Sequence, residues 1–153
     1  MKTTHYLAGI VLMSATAAMP AFAADECNLD INSNDAMQFD QKELSVPASC
    51  EEVTVTLHHT GTMAKNVMGH NWVLSTTEDM QPIANDGMSA GVDHDYLKAD
   101  DERVIAHTAV IGGGESSSVT FSTADMKADG DYSFFCSFPG HIGIMKGTFS
   151  ITE

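Results

Sequence analysis

Residues 131–151 read Asp131-Tyr132-Ser133-Phe134-Phe135-Cys136-Ser137-Phe138-Pro139-Gly140-His141-Ile142-Gly143-Ile144-Met145-Lys146-Gly147-Thr148-Phe149-Ser150-Ile151. Two runs of aromatic and β-branched residues, 131–135 and 147–151, have the pattern of short strands. The loop between them carries Cys-x4-His-x3-Met. A thiolate, an imidazole and a thioether thus leave one tight loop. Soft sulfur together with nitrogen suits copper, because the same donors must hold both Cu(I) and Cu(II). Pro139-Gly140 lets the loop turn so that its side chains point inward. Taken singly, the cysteine could be a small buried hydrophobe and the methionine a core filler. The three together, between two strands, point to a metal.

Working outward, the same short-strand signal recurs. Residues 52–57 (Glu-Val-Thr-Val-Thr-Leu) alternate at period two, and 71–74, 103–106 and 118–121 look similar; 37–40 and 44–46 are weaker. Turn material separates them at Pro47-Ala48, Thr60-Gly61, Gly112-Gly113-Gly114 and Ala128-Asp129-Gly130. The spacing predicts an all-β fold, an antiparallel Greek-key β-sandwich. One short α-helix is inserted, over about residues 78–90: Ser75 stands three residues before Glu78 as in a capping box, Pro82 falls in the first turns, and Gly87 and Gly91 stop the segment.

The N-terminus belongs to no strand. Lys2 precedes an apolar stretch from Leu7 to Met19, Pro20 ends it, and Ala21-Phe22-Ala23 offers small residues to a signal peptidase. Residues 1–23 therefore read as a signal peptide, cleaved after Ala23 or Ala24, with 24–153 as one domain. Export places the mature chain in an oxidising compartment, read as a bacterial periplasm. The full chain has 153 residues and a formal charge of −14; losing Lys2 and no acid makes the mature charge −15. So acidic a chain repels phosphate backbones and anionic lipid, which argues against nucleic acid and membrane as partners. Three cysteines remain to be explained. A disulfide between Cys27 and Cys50 is the simplest use of two in an exported protein, two buried free thiols being the alternative. Cys136 is left over for the metal.

A fourth donor must come from elsewhere in the chain. His70, in Met68-Gly69-His70-Asn71-Trp72, opens a predicted strand from which it can reach the Cys136 loop. Alone it would be an ordinary structural histidine; the Cys-His-Met loop makes it a candidate ligand.

At these residues the chain resembles the azurins of the cupredoxin family. Residues 65–75 (Lys-Asn-Val-Met-Gly-His-Asn-Trp-Val-Leu-Ser) and 134–148 look like that family's copper-binding segments. Asp95-Tyr96-Leu97-Lys98, residues 103–108 and the pair Cys27 and Cys50 are similar too, so the likeness runs over 25–153. It implies one type 1 copper ion with His70, Cys136 and His141 as trigonal ligands, Met145 as a weak axial thioether and the Gly69 carbonyl opposite. It further implies that Asn71 ties the two ligand loops together and donates from its backbone toward the sulfur. The implied function is that of a soluble one-electron carrier, not an enzyme, whose partners are periplasmic redox proteins such as c-type cytochromes, nitrite reductase or amine dehydrogenase. Two departures stand out. Ile142-Gly143 makes the outer loop more apolar than the family's pattern. Thr60 and Ala64 stand where prolines are familiar, which implies a less rigid approach to His70.

Met37, Met63, Val67, Met68, Met88, Phe138, Pro139 and Ile144 lie in segments expected to ring His141. An exposed apolar patch there would serve for docking, and methionine suits a surface that fits more than one partner. Phe138 is also expected beside the metal. His58, His94 and His107 lack ligand spacing and read as surface groups; His59 matches a family histidine near the copper but not bound to it. Other functions fit less well. A Cys–His nucleophile and base would need an oxyanion hole, and none is suggested. A copper chaperone or store would favour clustered exposed methionine and histidine, whereas the methionines here are scattered.

Overall fold

Strand β4 (Glu52–His59) sets the pattern of the fold. Its burial alternates residue by residue, with Val53, Val55, Leu57 and His59 inward, as a strand with one face on a core requires. The computed structural model describes residues 26–153; the expected signal peptide, residues 1–23, lies outside them. Strands β1 (Asn28–Asn34), β2 (Gln38–Phe39), β4 and β7 (Ser116–Ser122) form one sheet in the order β2-β1-β4-β7. Strands β3 (Glu43–Pro47), β5 (Val73–Thr76), β6 (Ala106–His107), β8 (Tyr132–Phe135) and β9 (Lys146–Thr152) form the other in the order β3-β9-β8-β5-β6. Neighbours in each sheet are mostly distant in sequence, as Greek-key connections demand.

The sheets are mixed rather than wholly antiparallel. β1 runs parallel to β4 with Ile31 opposite Leu57, and β3 runs parallel to β9 with Leu44 opposite Phe149. β1 escaped the sequence reading because Asn28, Asp30, Asn32 and Asn34 are poor strand formers. Ile31 and Ser33 are nonetheless fully buried, and that inward face holds the strand. At the other end of the second sheet, the strand expected over 103–106 shrinks to two residues. Arg103 is drawn into a turn by Asp101 and Asp86, its guanidinium 2.6 and 2.7 Å from their carboxylates.

The core lies between the sheets. Trp72 is fully buried and sits about equally far from Phe121, Phe134 and Phe149, with ring centroids 6.0, 6.1 and 6.4 Å away. Its Nε1–H has no hydrogen-bond partner among the described residues, so packing must offset a desolvation cost of about 1–3 kcal/mol. The disulfide Cys27–Cys50 is formed and joins the start of β1 to the segment before β4.

Helix α1 (Lys65–Met68) is a single turn. Helix α2 (Thr77–Gly87) continues as a 3-10 turn through Ala90. Its cap is one residue later than expected: Thr76, not Ser75, takes the cap, accepting from the Asp79 amide and donating to the Asp79 carboxylate at 2.7 Å. Ser75 is fully buried and donates instead to the Thr76 carbonyl. Ile83 and Ala84 pack with Val73, Leu97 and Phe135 in a second, smaller core. No described helix is long and apolar enough to cross a membrane.

Candidate metal centre

Cys136 follows directly on β8, whose four residues are all buried. It enters the loop with its amide donating to the Met145 carbonyl at 3.0 Å, which closes the loop on itself. Within the loop Gly140 has φ 86, a conformation residues with a Cβ rarely adopt, and it turns the chain into the short helical turn at His141. His70 arrives from the opposite side of the site, before β5. Its backbone bridges Ile111 through bonds of 3.0 and 2.8 Å. Gly69 is needed because a Cβ there would overlap the Lys65 carbonyl and the Val110 side chain.

These segments bring three donors together. The Nδ1 atoms of His70 and His141 lie 3.9 and 3.7 Å from the Cys136 sulfur. All three donor atoms fall within 4.8 Å of one another, and all three residues are buried. The tautomer of His70 follows from its other nitrogen. Nε2 lies 2.8 Å from the Asn34 carbonyl, which can only accept, so Nε2 carries the proton and Nδ1 keeps its lone pair for the centre. The sulfur receives the backbone amides of Asn71 and Phe138. Asn71 spans the two loops, accepting the Ser137 amide at 2.9 Å and donating to the Ser137 hydroxyl at 2.8 Å. The Phe138 ring stacks on His141 at 4.5 Å. Met145 is fully buried at the end of the loop.

The donors fit a cation. Burial pushes the Cys136 thiol up to about 12 and the His70 imidazole down to about 4. A neutral pocket thus holds groups that a bound metal ion would find with their lone pairs turned inward, and binding would expel the thiol proton. The copper-free protein should accordingly weaken in acid. The His70 imidazole is depressed in the fold and ordinary when unfolded, so above pH 6.5 both states are neutral. Between about 6.5 and 4 only the unfolded chain takes up the proton, costing up to about 1.4 kcal/mol per pH unit. Burial shifts His141 in the same direction. Hydrogen bonds from Arg103 hold Asp101 below the usual carboxylate range, so its contribution is lost only at lower pH, as a separate phase. Urea midpoints of the copper-free protein should therefore fall from pH 7 to 5; a flat profile would contradict a neutral His70.

His59 also proves to be part of this region. It is buried, donates from Nε2 to the Met68 carbonyl at 2.9 Å, and stacks on His70 with ring centroids 4.6 Å apart. His58 instead lies on the outer face between Asp30 and Ser116, at 2.9 and 2.7 Å. His94 and His107 are exposed. Asp35 is a residue the sequence reading passed over. Its carboxylate accepts the Thr62 and Met63 amides at 2.8 and 3.2 Å and so holds the loop in front of α1. Thr60 does the same nearby: its amide and hydroxyl both donate to the Ser33 carbonyl, at 2.8 and 2.9 Å, and a proline could not supply the amide bond.

Of the expected patch, Met63, Val67, Met88, Pro139 and Ile144 are exposed, and Val67 is 58% exposed. Met37, Met68 and Phe138 are half-buried, and Met37 and Phe138 pack against the main core. Ile142 turns toward the second core rather than outward.

Two packed sheets with a buried His–Cys–His set at one end define the cupredoxin class of copper protein. The family model for copper-binding proteins of the plastocyanin/azurin family matches residues 25–152. The chain is 56% identical to an azurin of Bordetella pertussis, covering 96% of this chain and 97% of that one. It is 54% identical to an azurin of Pseudomonas aeruginosa, covering 95% and 97%. A solved azurin (Az-iso2) from Methylomonas sp. strain J superposes with a TM-score of 0.80 at 44% identity, over 83% of this chain and 98% of that one. The chain belongs to the plastocyanin/azurin family of copper-binding proteins. Its cofactor is copper, and its function is that of a one-electron carrier among redox proteins.

Proposed function

We propose that the mature chain, 24–153, works in the periplasm as a soluble carrier that binds one copper ion through His70, Cys136 and His141. Met145 and the Gly69 carbonyl act as weaker additional donors. Bound copper supplies the Cu(I)/Cu(II) couple at a type 1 centre. The chain's own residues do the rest: Asn71 and Phe138 point amides at the sulfur, Asn34 fixes the His70 tautomer, and Asn71 keeps the two ligand loops in register. Groups held this firmly rearrange little when charge changes, which suits electron transfer rather than bond making.

The observation that carries this reading is burial. His70 and Cys136 are fully buried and His141 is 4% exposed. A chaperone or store must release its metal to another protein and needs ligands within reach. A carrier needs only one edge near the surface, and we assign that edge to His141, whose own loop carries the exposed Pro139 and Ile144. Partners of the c-type cytochrome, nitrite reductase or amine dehydrogenase kind would dock on this apolar surface. Nucleic acid and membrane are disfavoured as partners by a charge of −15 once Lys2 is removed.

Met68→Lys tests the docking role. A lysine on the patch should slow electron exchange with a c-type cytochrome in stopped flow by roughly tenfold or more, the effect of about 1.4 kcal/mol on the encounter. The visible copper spectrum should stay as it was. Unchanged rates would remove Met68 from the docking surface. Because the patch is uncharged, the parent's rates should vary only mildly with ionic strength; a steep dependence would move the encounter to the acidic flanks.

A further inference from the structure

Asp95 and Tyr96 are consecutive non-glycine residues in the left-handed region, with φ of 53 and 50. Asp tolerates this conformation, whereas tyrosine rarely does. The turn is held from several sides. The Asp95 amide donates to the Val92 carbonyl at 3.2 Å and the Tyr96 amide to the Gly91 carbonyl at 3.0 Å. The Asp95 carboxylate accepts the Val110 amide at 2.7 Å. On the far side the Tyr96 carbonyl lies against Gly87 of α2, where any Cβ would collide with it.

What this conformation presents is the Asp95 carbonyl and the Tyr96 ring. The carbonyl accepts from Asn71 Nδ2 at 3.0 Å and from the Ser137 hydroxyl at 2.7 Å. Each of these partners follows a copper ligand in the chain: Asn71 comes after His70, and Ser137 after Cys136. The Tyr96 ring meets Phe138 edge-on at 5.0 Å, and Phe138 stacks on His141. One two-residue turn therefore reaches all three ligand-bearing segments, though it contributes no ligand.

We propose that the left-handed Asp95–Tyr96 turn is the positioning element that fixes the copper loops relative to one another, Asp95 through Asn71 and Ser137, Tyr96 through Phe138. It converts the packing of α2 and the β6–β7 connection into a set separation of the ligands. A right-handed backbone at Asp95 would withdraw the carbonyl from both donors at once. The bonds between Asn71 and Ser137 would lose their tie to the turn and open more readily, while the backbones on either side stay held by their own pairings.

The test compares Asp95→Ala with Asp95→Asn. Alanine loses the Val110 bond and disfavours the left-handed backbone; asparagine keeps an acceptor oxygen and tolerates it. In the copper-free protein, the Ser137 amide should exchange with solvent roughly tenfold faster or more in the alanine variant and close to the parent rate in the asparagine variant. In the copper-loaded protein, the alanine variant should shift the thiolate-to-copper band and the copper hyperfine coupling, again with rescue by asparagine. Parent-like exchange at Ser137, in an alanine variant whose Val110 amide exchanges faster, would overturn the proposal. So would an asparagine variant as disturbed as the alanine one. If Asp95→Ala does not fold, Tyr96→Leu against Tyr96→Phe decides: the His141 ring resonances should broaden in the first and not the second, and equal behaviour overturns the role of Tyr96. The inference rests on the copper centre proposed above only for the spectroscopic arm. Failure to bind copper would be seen in the parent itself and would leave the exchange result to be read separately.

Discussion

Cys136→Ser is expected to give a folded protein that stays colourless when Cu(II) is added, where the parent develops an intense blue band. The band requires a thiolate, and no other free cysteine is present among the described residues. A serine hydroxyl does not ionise in a pocket that already pushes the thiol up to about 12, so it offers neither the charge nor the soft donor. Copper affinity should fall by more than the roughly 10- to 100-fold typical for losing a group that only supports a ligand. Folding should survive, because the Asn71 and Phe138 amides that face the sulfur can donate to the hydroxyl oxygen instead. Titration with Cu(II) followed in the visible range settles the matter, and survival of the band in the variant would sink the thiolate assignment.

Trp72→Ala is expected to have the largest effect on stability. The side chain is fully buried among Phe121, Phe134 and Phe149, and deleting a buried aromatic of this size costs about 3–5 kcal/mol. That is a large share of the roughly 5–15 kcal/mol that holds a domain folded. Trp72→Phe should cost much less. It keeps an aromatic ring between the sheets and removes the indole N–H that has no partner among the described residues, so a loss of under about 2 kcal/mol is expected. Urea midpoints should be compared on copper-free protein, since a metal bound only by the native state would add stability of its own. A Trp72→Ala protein within about 1 kcal/mol of the parent would show that the cavity collapses and that the sheets do not depend on this ring.

How much of this could be read from the residues depends on how local each signal is. The loop from Cys136 to Met145 was legible because its chemistry is concentrated in ten consecutive residues and flanked by clear strands. β4 was legible because Val53, Val55 and Leu57 alternate with polar residues. β1 was not, because Asn and Asp at every second position hide an inward face made by Ile31 and Ser33. The cap of α2 slipped by one residue because Ser75, Thr76 and Thr77 all carry a hydroxyl. Only tertiary contacts send Thr76 to the cap and bind Thr77 to Asp131 and Ser133. The roles of Asp35, Asp95 and Ser137 were not legible for a different reason. Each acts through hydrogen bonds to residues far away in sequence, and no pattern of residue types marks such a bond.

The pairing of β3 with β9 has a consequence for the order of assembly. Glu43 lies opposite Thr148 and Pro47 opposite Thr152, so an edge strand from the first third of the chain waits for residues synthesised last. β1 and β4, by contrast, pair across about one disulfide loop of 23 residues. Long-range pairing delays folding because loop closure is paid for before contacts reward it. One sheet can therefore begin early, while the other, which carries Cys136 at the end of β8, is completed only with the C-terminal strand. Until then the thiol is uncovered, and the chain is most open to oxidation or to capture of the wrong metal during this interval.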